Sequence, residues 1–311
     1  MKLVSKENTK IMKNTLKRIT QASLILFLTI SLFSCNKDDD APKPTPQQTD
    51  VYVAGYESNG TNKVAKVWKN GTATSLTDGS NTAFATSIYV NGNDVYVVGY
   101  ESNGTKYVAK LWKNGTAINL TDGSNSAKAN FVVVNGNDVY VVGYESNGTK
   151  DVTKLWKNGT ATSLTDGSNP GVATSVYVNR GDVYVTGYEN NGTKNVAKLW
   201  KNGTDTNLTD GTKSGTANSV VVSGNDVYVV GYERKGTKNI AKLWKNGTVT
   251  DLTDGSNRAI AYSIYVNGDD VYIAGYEHNG TKNIAKLWKN GTVTSLTDGS
   301  NLAVGTSIYV K

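Results

Sequence analysis

Two carboxylates recur at a fixed interval along this 311-residue sequence. Glu57, Glu101, Glu145, Glu189, Glu233 and Glu277 close six Gly-Tyr-Glu triplets. Asp78, Asp122, Asp166, Asp210, Asp254 and Asp298 each follow a Leu-Thr pair. Paired carboxylates serve as acid and base in glycoside hydrolysis. That chemistry needs surroundings that push two pKa values apart, and six near-copies supply no such difference. An Asp before Gly is also a turn former through bonds to its own backbone, which is the reading taken here. Calcium asks for roughly six to eight converging oxygens, and one carboxylate per loop falls short of that. Six tryptophans, from Trp68 to Trp288, suit either sugar stacking or packing between sheets. Packing is favoured, because each ring buries ~150–250 Å², an upper estimate of about 4–6 kcal/mol. The tyrosines of the triplets receive the same reading. His278, the one histidine, sits in a turn without an evident Ser or Asp partner and reads as a surface residue. No phosphate loop, zinc-protease helix or nucleophile elbow occurs. No catalytic residue, metal ligand or cofactor is assigned.

The elements that carry these residues follow from the spacing. Both the triplets and the tryptophans advance by 44 residues, and a long internal period decides architecture before any motif does. Each unit holds Asn-Gly pairs, such as Asn91-Gly92, Asn103-Gly104 and Asn114-Gly115, that suit tight hairpins. Between them lie runs rich in β-branched and aromatic residues, with no helical period. In the second unit the strands are read as A, 87–90; B, 94–101; C, 106–112; and D, 116–121. A connector over 122–130 leads to the next A strand. Four-stranded antiparallel meanders repeated radially make a β-propeller, so the expected fold is an all-β, six-bladed propeller. Six copies of 44 residues need 264, whereas 50–310 holds 261; the missing three match one A–B turn, 91–93. The chain therefore starts at a strand B and ends at a strand A, 307–310. Pairing of that last strand with the first sheet would close the ring and remove its free edges. An open β-solenoid is the rival, and it leaves the complementary ends unexplained. The stretch Gly92-Asn93-Asp94-Val95-Tyr96-Val97-Val98-Gly99-Tyr100 resembles the bacterial β-propeller repeat, and the match covers 50–310. The kelch double glycine and the Trp-Asp end of WD40 units are absent.

Residues 1–34 read as a signal peptide: Lys10, Lys13, Lys17 and Arg18 precede an apolar run from Ala22 to Phe33. The run is short for a membrane span, and a start at Met12 would leave a complete signal. Leu32-Phe33-Ser34-Cys35 resembles a lipobox, with Phe33 larger than usual. Cys35 is the only cysteine, so no internal disulfide is possible and lipidation is its expected role. Two or more acyl chains give stable attachment to a membrane. Asn36-Lys37-Asp38-Asp39-Asp40 resembles a surface-export signal of lipoproteins in one group of Gram-negative bacteria. The expected address is therefore the outer face of the outer membrane, with a periplasm-facing lipoprotein as the alternative. Residues 35–49 form a tether whose alternating Pro42, Pro44 and Pro46 favour an extended spacer; the propeller occupies 50–311.

The full chain carries 33 basic and 26 acidic residues, a net charge of +7. With six basic and one acidic residue in 1–34, residues 35–311 hold 27 and 25, a net of +2. A nucleic-acid binder needs a basic patch on its folded domain, so nucleic acid is not an expected partner. The C–D turn reads Lys-Asn-Gly-Thr in every unit, whereas the B–C turns and D–A connectors, expected on the opposite face, differ. Binding residues concentrate on loops held by a rigid scaffold. Phe84, Lys128, Arg234, Arg258, His278 and Leu302 are therefore the candidate binding residues; relaxed drift of tolerant loops is the competing account. The expected function is a non-enzymatic, surface-tethered binding or scaffold module for a glycan or protein, acting as a monomer. The alternative is a polysaccharide-active glycosidase or lyase using Asp or Glu on the variable face.

Overall fold

The computed structural model describes residues 50–310. The expected signal peptide over 1–34 and the expected tether over 35–49 with Cys35 lie outside the described residues. Among these residues every helix or strand assigned is a strand. The first sheet has three strands in chain order: β1 (Tyr52–Ser58), β2 (Lys63–Lys69) and β3 (Thr72–Ser75). The second has four: β4 (Ala83–Asn91), β5 (Asp94–Ser102), β6 (Tyr107–Lys113) and β7 (Thr116–Asn119). Four more antiparallel sheets of the same order follow over 127–163, 171–207, 215–251 and 259–295. The sheets are numbered below as blades 1 to 6.

The C–D hairpin shows why the sequence turns where it does. Asn114 and Gly115 both take positive φ, 50° and 82°, the conformation that matches strand twist in a two-residue hairpin. Asn114 Oδ1 accepts from Val95 N at 2.8 Å, and its Nδ2 donates to Asp94 Oδ1 at 2.8 Å. Lys113 pairs with Asp94 at 2.9 Å. The same set recurs at Asn158, Asn202, Asn246 and Asn290. The uniform Lys-Asn-Gly-Thr turn is thus a clasp between the C–D and A–B turns.

The inner strand is longer than expected. It begins at Ala83 rather than Ser87, so the connector ends at 82 and Phe84 lies in a strand, as Lys128 does in blade 3. A bulge between Ala85 and Ser87 breaks the pairing with β5, which hid the strand from a two-residue period. Gly99 makes the bulge possible, because a Cβ there would stand 1.9 Å from the Phe84 carbonyl oxygen.

The cores lie between blades. Trp112 of blade 2 is fully buried with Ala65 and Val67 of blade 1 and Ala83, Ala85 and Val97 of its own sheet. Trp156, Trp200, Trp244 and Trp288 repeat this insertion, as the packing reading of the tryptophans predicts. The inner strands pack in succession from blade to blade, and the series curves back on itself. Tyr309 packs edge-on to Tyr265 of blade 6 at a centroid distance of 5.0 Å. It also lines a cleft of about 1040 Å³ with Asp50, Tyr52 and Lys69 of blade 1. A linear stack would hold those residues at opposite ends.

The expected closing pair is not formed: no sheet joins residues 302–310 to β1. The segment instead lies along blade 6. Gly305 N donates to Gly275 O at 3.0 Å and Ile308 N to Ser263 Oγ at 3.2 Å. Val132 makes the equivalent bond to Ser87 Oγ at 3.4 Å.

Gly143 is the blade 3 counterpart of Gly99, and a Cβ on it would stand 2.0 Å from Lys128 O. Gly143→Ala is expected to destabilise the protein by about 1–3 kcal/mol or more, read as a fall in the denaturant midpoint. An unchanged midpoint would contradict the close backbone approach.

Candidate functional site

The cross-strand register gathers aromatic residues at the end of the blades that carries the B–C turns and connectors. Tyr100 on β5 pairs with Phe84 on β4, and Tyr144 on the corresponding strand of blade 3 pairs with Lys128. Tyr188, Tyr232 and Tyr276 pair with Val172, Thr216 and Ile260. One tyrosine per blade therefore alternates with a residue that differs from blade to blade.

The differing residues make one sector distinct. Phe84 packs between Tyr56 of blade 1, edge-on at 4.7 Å, and Tyr100, tilted at 5.1 Å. Tyr100 in turn meets Tyr107 edge-on at 5.0 Å. Lys128 Nζ lies 4.5 Å from the Tyr100 centroid and 5.1 Å from that of Tyr107, within reach of cation–π attraction. Asp151, the first residue of blade 3's third strand, completes the group. Burial raises its carboxyl pKa, and the neighbouring Lys128 opposes that shift. Burial, followed by the Asp151 charge, pushes the Tyr144 phenol up to about 12. Tyr188 is raised by the same two causes in the same order. Asp151 is thus a carboxylate held among phenols beside one lysine. Desolvation outweighs the ion attraction there.

The repeated carboxylates have other employment. Asp78 Oδ1 accepts from Ser80 N at 2.9 Å and from Ser80 Oγ at 2.7 Å. These bonds, the backbone one first, lower its pKa. The turn recurs at Asp122, Asp166, Asp210, Asp254 and Asp298. Glu101 pairs with Lys110 at 2.8 Å across β5 and β6, and the other blades repeat the pair. No group of three or more His, Cys, Asp or Glu that could hold a metal ion occurs among the described residues.

Of the residues singled out from the sequence, Phe84 and Lys128 come together in the aromatic sector. The others do not join them. Arg258 stands at the entrance to blade 6, where its carbonyl accepts from His278 N and its Nη2 donates to Asn283 Oδ1 at 3.2 Å. His278 Nδ1 accepts from Gly280 N at 3.0 Å, a turn-capping bond. Arg234 Nε donates to Gly236 O in the blade 5 turn, and Leu302 lies exposed in the C-terminal segment. Sequence reasoning missed Tyr107 and Asp151. The signal for them was present: the position reads Lys63, Tyr107, Asp151, Asn195, Asn239 and Asn283 through the repeats. Tyr100, assigned to packing from the sequence, does pack between Phe84 and Tyr107, whereas Tyr56 is 50% exposed.

No family model and no curated protein matches the chain. Among solved structures it is similar to TolB from Acinetobacter baumannii, with a TM-score of 0.48 and 12% identity. That match covers 82% of this chain and 65% of that one. It is similar to a TolB described as putative from Agrobacterium tumefaciens at a TM-score of 0.47 and 11% identity, over 72% of this chain and 84% of that one. The acylaminoacyl peptidase from Pyrococcus horikoshii matches at a TM-score of 0.50 and 14% identity, over 80% of this chain and 43% of that one. The chain thus spans less than half of the peptidase, and the likeness is one of fold.

An acid whose pKa is raised on folding binds more protons in the native than in the unfolded state. Its contribution to stability therefore falls as pH rises from the unfolded value, 3.8, through the folded one. Asp151→Asn is expected to raise the melting temperature at pH 7, with the gain shrinking to nothing below pH 3.8. Melting curves of the two proteins across that range test this, and a loss of stability at pH 7 would contradict it.

Proposed function

We propose that this chain is a non-enzymatic, membrane-anchored recognition module that binds a glycan at the aromatic sector of its loop-bearing face. The observation that carries the reading is the run Tyr56–Phe84–Tyr100–Tyr107 with Lys128 against its rings. Aromatic faces take up the C–H faces of sugars, while a cation and a carboxylate offer hydrogen bonds to hydroxyls. Asp151 supports it further, because a carboxylate retained at a cost in desolvation is what a ligand contact would explain. The turn and ion-pair roles of the repeated Asp and Glu residues weigh against the hydrolase reading. The lipobox-like Cys35 would carry the anchor, the proline tether would lift the blades from the membrane, and the acidic run after Cys35 would direct the protein to the cell surface.

The repeats supply their own controls: Phe84 and Lys128 share one repeat position, where blade 4 carries Val172, and Tyr107 and Asp151 share another, where blades 4 to 6 carry Asn195, Asn239 and Asn283. The variant Phe84→Val/Tyr107→Asn/Lys128→Val/Asp151→Asn of the full chain, in a nonionic detergent, is expected to fold. It should lose glycan-array binding by about 10- to 100-fold, at ~0.5–1.5 kcal/mol per aromatic contact. Undiminished glycan binding would exclude this sector, and binding to a protein but no glycan would replace the ligand class.

We also propose that the C-terminal strand pairs with β1 when the ring closes, the arrangement that removes both free edges. Residue 304 occupies the repeat position of Lys128, and Gly55 that of Gly143. Closure would bring the residue 304 carbonyl onto Gly55. In the open arrangement a Cβ on Gly55 meets only Trp68 Cζ3 at 3.3 Å and Cη2 at 3.7 Å. Gly55→Ala is therefore expected to destabilise as strongly as Gly143→Ala in the full chain. Deletion of 307–311 should reduce that penalty. A fully tolerated Gly55→Ala would mean an open ring.

A further inference from the structure

Blades 4 and 5 meet on the same face in a groove of about 380 Å³, lined by Lys194, Thr212, Lys213, Ser214, Arg234 and Gly236. Three elements supply its three cations: Lys194 from the blade 4 B–C turn, Lys213 from the connector, and Arg234 from the end of blade 5's second strand, which spans Asp226–Lys235. None of the lining residues is acidic. The connector carboxylate Asp210 accepts from Thr212 N and Oγ1 at 2.8 and 2.7 Å, and Lys213 attracts it from beyond salt-bridge distance. Among the described residues, the lysines at the C–D turns and those in the middle of the strands that precede them, such as Lys110 and Lys154, have carboxylate partners within 3.5 Å. Lys194, Lys213 and Arg234 have none within salt-bridge distance. Three cations without a salt-bridge partner in one concave place repel one another, and a bound anion relieves that repulsion.

The backbone around the groove departs from the repeat in the same place. In the other five blades the B–C turn carries Asn, as at Asn191, whose Oδ1 accepts from Thr193 N and Lys194 N and whose Nδ2 donates to Gly211 O. Blade 5 has Lys235 instead and loses that anchor. Its turn is held by Gly236 at φ 60° and by a pairing of Lys235 with Lys238. Arg234 is seated against the connector by a bond from its N to Ser214 O at 2.7 Å, and its Nε is fixed on Gly236 O at 3.1 Å. The guanidinium is thus positioned by two local contacts, with its Nη groups uncommitted to any carboxylate.

We infer that this groove is an oxyanion site, taking a sulfate ester, a phosphate ester or a uronic carboxylate of a larger ligand. The inference does not depend on the aromatic sector, which belongs to blades 1 to 3. Equivalent positions in other blades hold Asn81, Asn125 and Asn169 for Lys213, Ser58, Ser102 and Ser146 for Arg234, and Asn62 for Lys194. Back-substitutions to those residues keep the turn chemistry of the fold.

The test is titration calorimetry of the full chain in a nonionic detergent and low-chloride buffer, where screening is weak, with sodium sulfate, sodium phosphate and glucuronate as separate probes. At least one probe is expected to bind saturably at one site. Lys213→Asn/Arg234→Ser should weaken that binding by roughly tenfold or more, and Lys194→Asn by less. The Phe84→Val/Tyr107→Asn variant should bind the same probe as the parent does, which separates this site from the aromatic one. Response to the two inorganic anions alone would identify an ester site, response to glucuronate alone a uronate site, and response to all three a general oxyanion site. No saturable heat from any probe, or heats unchanged by the double substitution, would overturn the inference.

Discussion

The structure depends on the insertion of one tryptophan from each of blades 2 to 6 into the face of the blade before it. Trp112, Trp156, Trp200, Trp244 and Trp288 are essentially inaccessible to water, and each lies in a core shared by two sheets. A single blade cannot bury this surface alone, so stability resides in the contacts between neighbours. The small residues opposite each indole follow from the same demand. Ala83 and Ala85 on β4 and Ala65 on β2 leave the volume that Trp112 fills. Close packing admits little change there, which is why the repeat tolerates variation mainly at its edges.

That constraint gives the two ends of the blades different freedom. At the C–D and A–B end, every blade spends its asparagine, lysine and aspartate on the same clasp. The Asp94 carboxyl is lowered first by its bond from Asn114 and then by Lys113. A side chain with that many partners has no alternative identity. At the other end the Asp–Ser turns and Asn–Gly turns fix the backbone but leave the neighbouring side chains unspecified. Phe84, Tyr107, Lys128 and Asp151 occupy such positions, and so do Lys213 and Arg234. Differentiation has accumulated where the backbone is already held and the side chains are free, and it has done so in two separate sectors.

Much of the fold was legible in the sequence. The 44-residue step, the Asn-Gly hairpins and the order of four strands correspond to the observed sheets, and the Asp and Trp roles follow from turn chemistry and burial. The inner strand was not fully legible, because its first residues, Ala83 to Thr86, precede a bulge that shifts the period by one. The site was legible only in part. Phe84 and Lys128 stood out as departures from the repeat, but pairing Phe84 with Tyr100 requires the register of blade 2, and setting Lys128 over Tyr100 and Tyr107 requires the packing of blade 3 against it. Asp151 could be seen as an odd residue in its column, whereas its desolvation arises only from the phenols packed around it.

The ends of the chain show how far local pattern determines the whole. Blade 1 lacks an inner strand, and its surface records this: Val53 and Tyr56 are 52% and 50% exposed, while their counterparts Val97 and Tyr276 are buried. Its Glu57 side chain is 61% exposed against 16–23% for the paired glutamates of the other blades. Residues 302–310 carry the missing strand's sequence and already follow the path of an inner strand along blade 6. What separates the two is a cleft with Tyr52 and Tyr309 on its walls. The aromatic sector begins at Tyr56 on the strand that faces this cleft, so the proposed binding face and the proposed closure bear on the same few residues.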